Sequence, residues 1–88
     1  MPSYLIETYL ARAHADERAE CEDRARSAAE ELARAGTDVS FDGAIHIPED
    51  ETCFFVFGAP SGREAVLLAQ LAALDPVRVV EAVTSREE

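Results

Sequence analysis

Lysine is absent from this chain. Its eight basic residues are all arginine, set against eighteen acids, for a formal net charge of −10. Nucleic-acid and anionic-membrane partners need clustered cations, so the balance argues against both. Cysteine is sparse: Cys21 and Cys53 alone make no disulfide framework. That usage suits reduced thiols and a cytoplasmic location. No apolar run approaches the ~20 residues of a membrane span. The opening Met1-Pro2-Ser3-Tyr4-Leu5-Ile6-Glu7 has no basic region and meets an acid early, unlike a secretory leader. Familiar catalytic signatures are missing as well. There is no phosphate-binding glycine loop, Cys-x-x-Cys, Gly-x-Ser-x-Gly or His-Glu-x-x-His.

What is present organises around Thr52 to Ala59, Thr-Cys-Phe-Phe-Val-Phe-Gly-Ala. The run is short, aromatic and β-branched, bounded by acids before and Pro-Ser-Gly after, which predicts a strand. Both of its faces are apolar. That predicts a central strand, covered on each side.

Ser3 to Leu10 is rich in β-formers and reads as a first strand. Asp16 is a candidate N-cap for a helix running to Ala35. Cys21, Ala25, Ala28, Leu32 and Ala35 make its apolar stripe, and Gly36 is its stop. Val39 to Ile47 is a second strand with Gly43 a candidate bulge. Pro48 to Glu51 closes a hairpin onto the organising strand. Ser61 and Glu64 form a Ser-x-x-Glu capping box for a second helix, whose Ala65, Leu68, Ala69 and Ala72 face the sheet. Asp75-Pro76 ends it. Val77 to Thr84 is the last strand, and Ser85 to Glu88 a frayed tail. The expectation for 1–88 is one α+β domain, ferredoxin-like βαββαβ. Its four-stranded antiparallel sheet carries two helices on one face.

Several stretches carry a resemblance. Tyr4-Leu5-Ile6-Glu7, Asp50-Glu51-Thr52-Cys53-Phe54, Gly58-Ala59-Pro60 and Asp75-Pro76-Val77-Arg78-Val79-Val80-Glu81 resemble a bacterial family of small ferredoxin-like domains of unknown function. One characterised member of that family is a nickel-responsive, nickel-binding protein. The resemblance covers almost the whole chain and rests on structural motifs. It implies the fold, and sheet-to-sheet homodimers of the dimeric α/β-barrel type. It assigns no metal ligand by position, and the chain offers only His14 and His46 as histidines.

The residues themselves give candidate sites. If Ile47 pairs with Thr52, His46 lies directly opposite Cys53, with β-carbons ~5 Å apart. On this register Asp42, Ala44, Phe55 and Phe57 share that face. The more uniformly apolar set of Phe41, Gly43, Ile45, Ile47, Phe54 and Val56 then meets the helices. A histidine and a thiolate suit nickel or zinc. Glu7 or a second subunit would complete the set, giving His46, Cys53 and Glu7 as metal ligands. The alternative is that His46 ends an edge strand and Cys53 is a small buried hydrophobe. Glu7 and Glu81 fall mid-strand and could share the open face. With His46 they would be the acid/base residues of a cofactor-independent isomerase, cyclase or monooxygenase, beside Tyr9, Phe55 and Phe57. Solvated rim acids are the alternative reading. His14 reads as a solvated loop residue.

Two functions follow. The favoured one is a homodimeric protein binding a metal ion or small molecule on its open sheet face; the other is the enzyme just described. The dimer is expected to join through Cys53, Phe55 and Phe57, extended by Leu5, Tyr9, Val79 and Val83. Left bare, these would approach or exceed the few hundred Å² of apolar patch that a monomer usually exposes.

Overall fold

The computed structural model describes residues 1–83. Six main elements follow in order: β1 (Ser3–Tyr9), α1 (Glu17–Arg34), β2 (Ser40–Ile47), β3 (Thr52–Gly58), α2 (Gly62–Leu71) and β4 (Pro76–Ala82). Short 3₁₀ turns at Arg12–His14 and Pro48–Asp50 sit in two of the connections. The strands pair antiparallel in the order β2-β3-β1-β4, the ferredoxin-like arrangement. β3 and β1 are central, as the two-sided apolar character of Thr52 to Ala59 implies. The expected end of the last strand at Thr84, and the tail Ser85 to Glu88, lie outside the described residues.

Local chemistry explains most boundaries. α1 stops where Gly36 takes φ +101°, a left-handed conformation that glycine adopts without a Cβ clash. Its buried positions are Ala25, Ala28 and Ala29, with Cys21 and Leu32 half-buried against the same core. Alanine lets the helix lie close to the sheet. Ala35 is exposed, so the stripe ends one turn earlier than its spacing predicts. Asp16 holds the N-cap position but makes no capping bond. Its backbone is already helical, because the preceding 3₁₀ turn leads straight into α1. For α2 the expected core face is the observed one: Ala65, Leu68, Ala69 and Ala72 are all buried. Ser61 holds the N-cap position, but its side chain bonds no helix N–H; its hydroxyl donates instead to the Glu64 carboxylate. That bond, first among several, lowers the Glu64 pKa below its ordinary value; the Ser61 and Glu64 backbone amides add to it.

The hairpin carries a bulge. β2 slips against β3 between Phe41 and Gly43, so Asp42 has no partner, and Gly43 sits at φ +132°. The bulge swings Phe41 onto the side of Phe57, where their rings lie 5.3 Å apart and tilted.

Both helices cover one face of the sheet. That face runs in three rows: Phe41, Phe57, Tyr4 and Glu81; Ala44, Phe55, Ile6 and Val79; His46, Cys53, Thr8 and Pro76. Ile6, Cys53, Phe55 and Phe57 are its most completely buried members. The other face is open, with rows Gly43, Val56, Leu5 and Val80; Ile45, Phe54, Glu7 and Arg78; Ile47, Thr52 and Tyr9. This reverses the expected assignment of β3. Cys53, Phe55 and Phe57 meet the helices, and Phe54 and Val56 look outward. Val79 also belongs to the covered side, and Val83 lies past the end of β4, exposed. The organising strand is therefore covered on one side only within a single chain.

Candidate functional site

The register predicted across the hairpin is the observed one: His46 is opposite Cys53 and Ile47 opposite Thr52. The pair faces the helices, however, not the open side. Cys53 has no solvent exposure, and burial pushes its thiol up to about 11 from an ordinary 9.0. The nearby Arg18 charge works against that shift, while Cys21 and Glu22 add to it. A thiol held neutral in this way is no nucleophile at pH 7. His46 is half-buried, and its Nε2 is enclosed without a hydrogen-bond partner.

Glu7 is on the other face of the sheet. There it accepts a 2.5 Å hydrogen bond from Arg78 Nε, its neighbour across the β1–β4 ladder. Glu81 pairs with Tyr4, on the helix side, and is exposed. The expected trio of Glu7, His46 and Glu81 is thus split between two faces. Neither the depressions beside Arg24 and Phe41 nor the cleft at Cys21 and Cys53 is lined by any of them. The expected metal set of His46, Cys53 and Glu7 is split in the same way. Among the described residues no group of three or more His, Cys, Asp or Glu is placed to hold a metal ion. The reason lies in β3. Its register puts odd-numbered residues with the even-numbered residues of β1, so Cys53 and Glu7 can never share a side.

The open face is the larger feature. Tyr9 and Ile45 are 66% and 52% exposed, and Ile47 is exposed too; Leu5, Phe54, Val56 and Val80 are half-covered by one another. The Glu7–Arg78 ion pair crosses its middle row. Four strands ~4.8 Å apart and about seven residues long span a face of roughly 450 Å². A largely apolar patch of that size lies within the ~300–600 Å² of a typical monomer's largest patch, which often marks an interaction site.

A second feature is a cleft of about 170 Å³ on the covered side, where the sheet meets the start of α1 and the loop between α2 and β4. Thr8, Cys53 and Phe55 floor it, Cys21 and Arg24 of α1 wall it, and Leu74 and Asp75 close the far side. Arg24 ties the walls together. Its Nε donates to the Ala72 carbonyl at 2.8 Å, and its Nη2 lies 3.3 Å from Cys21 Sγ. Thr8 is satisfied internally, donating to the Cys53 carbonyl at 2.8 Å. Sequence reasoning missed this cleft. Cys21 looked like one more small residue in a helical stripe, and nothing in its spacing relates it to Cys53. His14 is exposed, as expected, its Nδ1 2.7 Å from the Glu17 carboxylate.

Comparisons with known proteins add the fold alone. No family model matches the chain, and no curated protein does. Among solved structures it is similar to SCO4226 from Streptomyces coelicolor A3(2), with a TM-score of 0.75 at 13% identity, over 96% of this chain and 99% of that one. No helix of the described residues is long and apolar enough to cross a membrane. Near-complete coverage in both directions shows that the ferredoxin-like arrangement accounts for the described fold from end to end.

Proposed function

We propose that the chain is a cytoplasmic homodimeric binding protein, two copies meeting open sheet to open sheet around a small ligand. One observation carries this reading: the uncovered apolar face of Leu5, Tyr9, Ile45, Phe54, Val56 and Val80. Covering apolar surface contributes ~25 cal/mol per Å², which is substantial beside the core of so small a chain. Glu7 and Arg78 neutralise each other within one copy, so a partner can cover them at less cost than a lone charge. A two-fold, isologous arrangement fits a face that must complement itself. Light scattering at micromolar concentration is expected to give twice the 9.6 kDa chain mass, and Phe54→Glu to halve it. A wild-type mass of 9.6 kDa overturns the reading.

A second reading, binding of nickel or zinc, is favoured by one atom. His46 Nε2 is enclosed with no partner, and the residue directly across from it is Cys53. Calorimetric titration with Ni²⁺ and Zn²⁺ tests it. Binding weakened in His46→Ala supports it, and binding unchanged in that variant rejects it.

A further inference from the structure

We propose that Cys21 and Cys53 form a two-coordinate site for a soft monovalent d¹⁰ cation, of the copper(I) or silver(I) class, in the cleft beneath α1. The two thiols come from different elements, α1 and β3, and line the same 170 Å³ space. That space is too small for most organic ligands, whose pockets run ~300–1,000 Å³.

Ligand type and number select the ion. Thiolates favour soft cations. A divalent ion such as zinc wants about four donors in a protein site. Among the described residues no third or fourth His, Cys, Asp or Glu joins the two sulfurs in a metal-holding group. Charge points the same way. Two thiolates around a monovalent ion leave one net negative charge. The Arg24 guanidinium, 3.3 Å from Cys21 Sγ and fixed by the Ala72 carbonyl, supplies positive charge beside it, shared with the Glu20 carboxylate 3.4 Å away. Cys21 is half-buried and Cys53 fully buried. Loading replaces the thiol protons with the metal, so burial of a neutral Cys53 in the empty protein is no obstacle.

This inference does not rest on the dimer reading, and it differs from the nickel or zinc reading in both partner residue and ion. The test uses silver(I) as the probe, in chloride-free buffer without air, on the full chain. Native mass spectrometry counts ions, and competition with a chromophoric chelator gives affinity. One silver ion per chain is expected. Cys21→Ser is expected to weaken binding by roughly 100-fold, and Arg24→Gln by about tenfold, the usual effect of an outer-shell group. His46→Ala should leave silver affinity unchanged. Cys53→Ala, checked for folding by circular dichroism, should match Cys21→Ser. Two silver ions per chain, silver-linked chains, or undiminished affinity in Cys21→Ser would each overturn the site.

Discussion

The two faces of the sheet carry similar side chains and meet different surroundings. On one side Ile6, Phe55 and Phe57 are sealed beneath helices; on the other Leu5, Phe54 and Val56 stand at the same heights on the same strands, only half-covered. Apolar content does not distinguish them. What separates them is which side the helices can reach closely, and alanine at 25, 28, 65, 69 and 72 sets that approach. The covered side is thus defined by small residues on the helices as much as by large ones on the strands.

The sharpest way to break this contrast is a matched pair of truncations. Phe55→Ala leaves a cavity in a sealed core and is expected to destabilise by about 3–5 kcal/mol in urea unfolding. Phe54→Ala, measured at concentrations too low for association, should lose clearly less. Equal losses would mean that the open face is as well packed as the covered one.

Next in size is a pH effect confined to the covered side. Cys53 titrates at about 11 in the folded chain against an ordinary 9.0. The unfolded thiol ionises first, so the stabilisation is complete below pH 9 and lost as pH rises towards 11. At ~1.4 kcal/mol per pKa unit the loss is about 2–3 kcal/mol. Urea midpoints across that range should show it in the wild type, and Cys53→Ala should lack that component.

Much of the fold was legible in the residues, and the site much less so. The limits of α1, the Gly43 bulge and the His46–Cys53 register follow from local rules that need only neighbouring residues, whereas α2 stops at Leu71, ahead of the expected Asp75-Pro76 stop, where Ala73 turns to φ +55°. The side on which β3 presents Cys53 does not. Alternation groups Cys53 with Phe55 and Phe57 but leaves open which side they take. The more uniformly apolar hairpin set was expected to face the helices, and the bulge at Asp42 undid that by moving Phe41 across. One signal pointed the right way: free cysteine is among the most buried residue types. The Cys21–Cys53 cleft was beyond reach for another reason. It depends on how α1 lies over the sheet, which no spacing within either element encodes.

Smaller effects probe the edges of the contrast. Gly43→Ala keeps φ +132° unfavourable for a side chain although nothing lies within 4 Å of a new Cβ. Backbone strain alone should therefore cost about 1–2 kcal/mol, read as a lower Tm. Smallest is Ser61→Ala at the start of α2. Its Tm deficit should shrink as pH falls through the carboxylate range, because the Ser61 bond favours ionised Glu64 and that contribution disappears on protonation. A deficit that grew on acidification would contradict the hydrogen bond.

The strand order has a consequence for synthesis on the ribosome. β1 is made first, yet it bonds only to β3 and β4. Forty-nine residues separate Tyr9 from Gly58, so at ~5–20 residues per second β1 waits about 2–10 seconds for its first complete partner. Throughout that interval Tyr4 and Ile6 have no sheet to join. The elements emerging meanwhile are α1, whose inward side is mostly alanine and whose outward side is charged, and β2, which carries Phe41. Tyr4, Tyr9 and Phe41 therefore precede the strand that pairs with both of theirs, and only Phe54, Phe55 and Phe57 arrive with it.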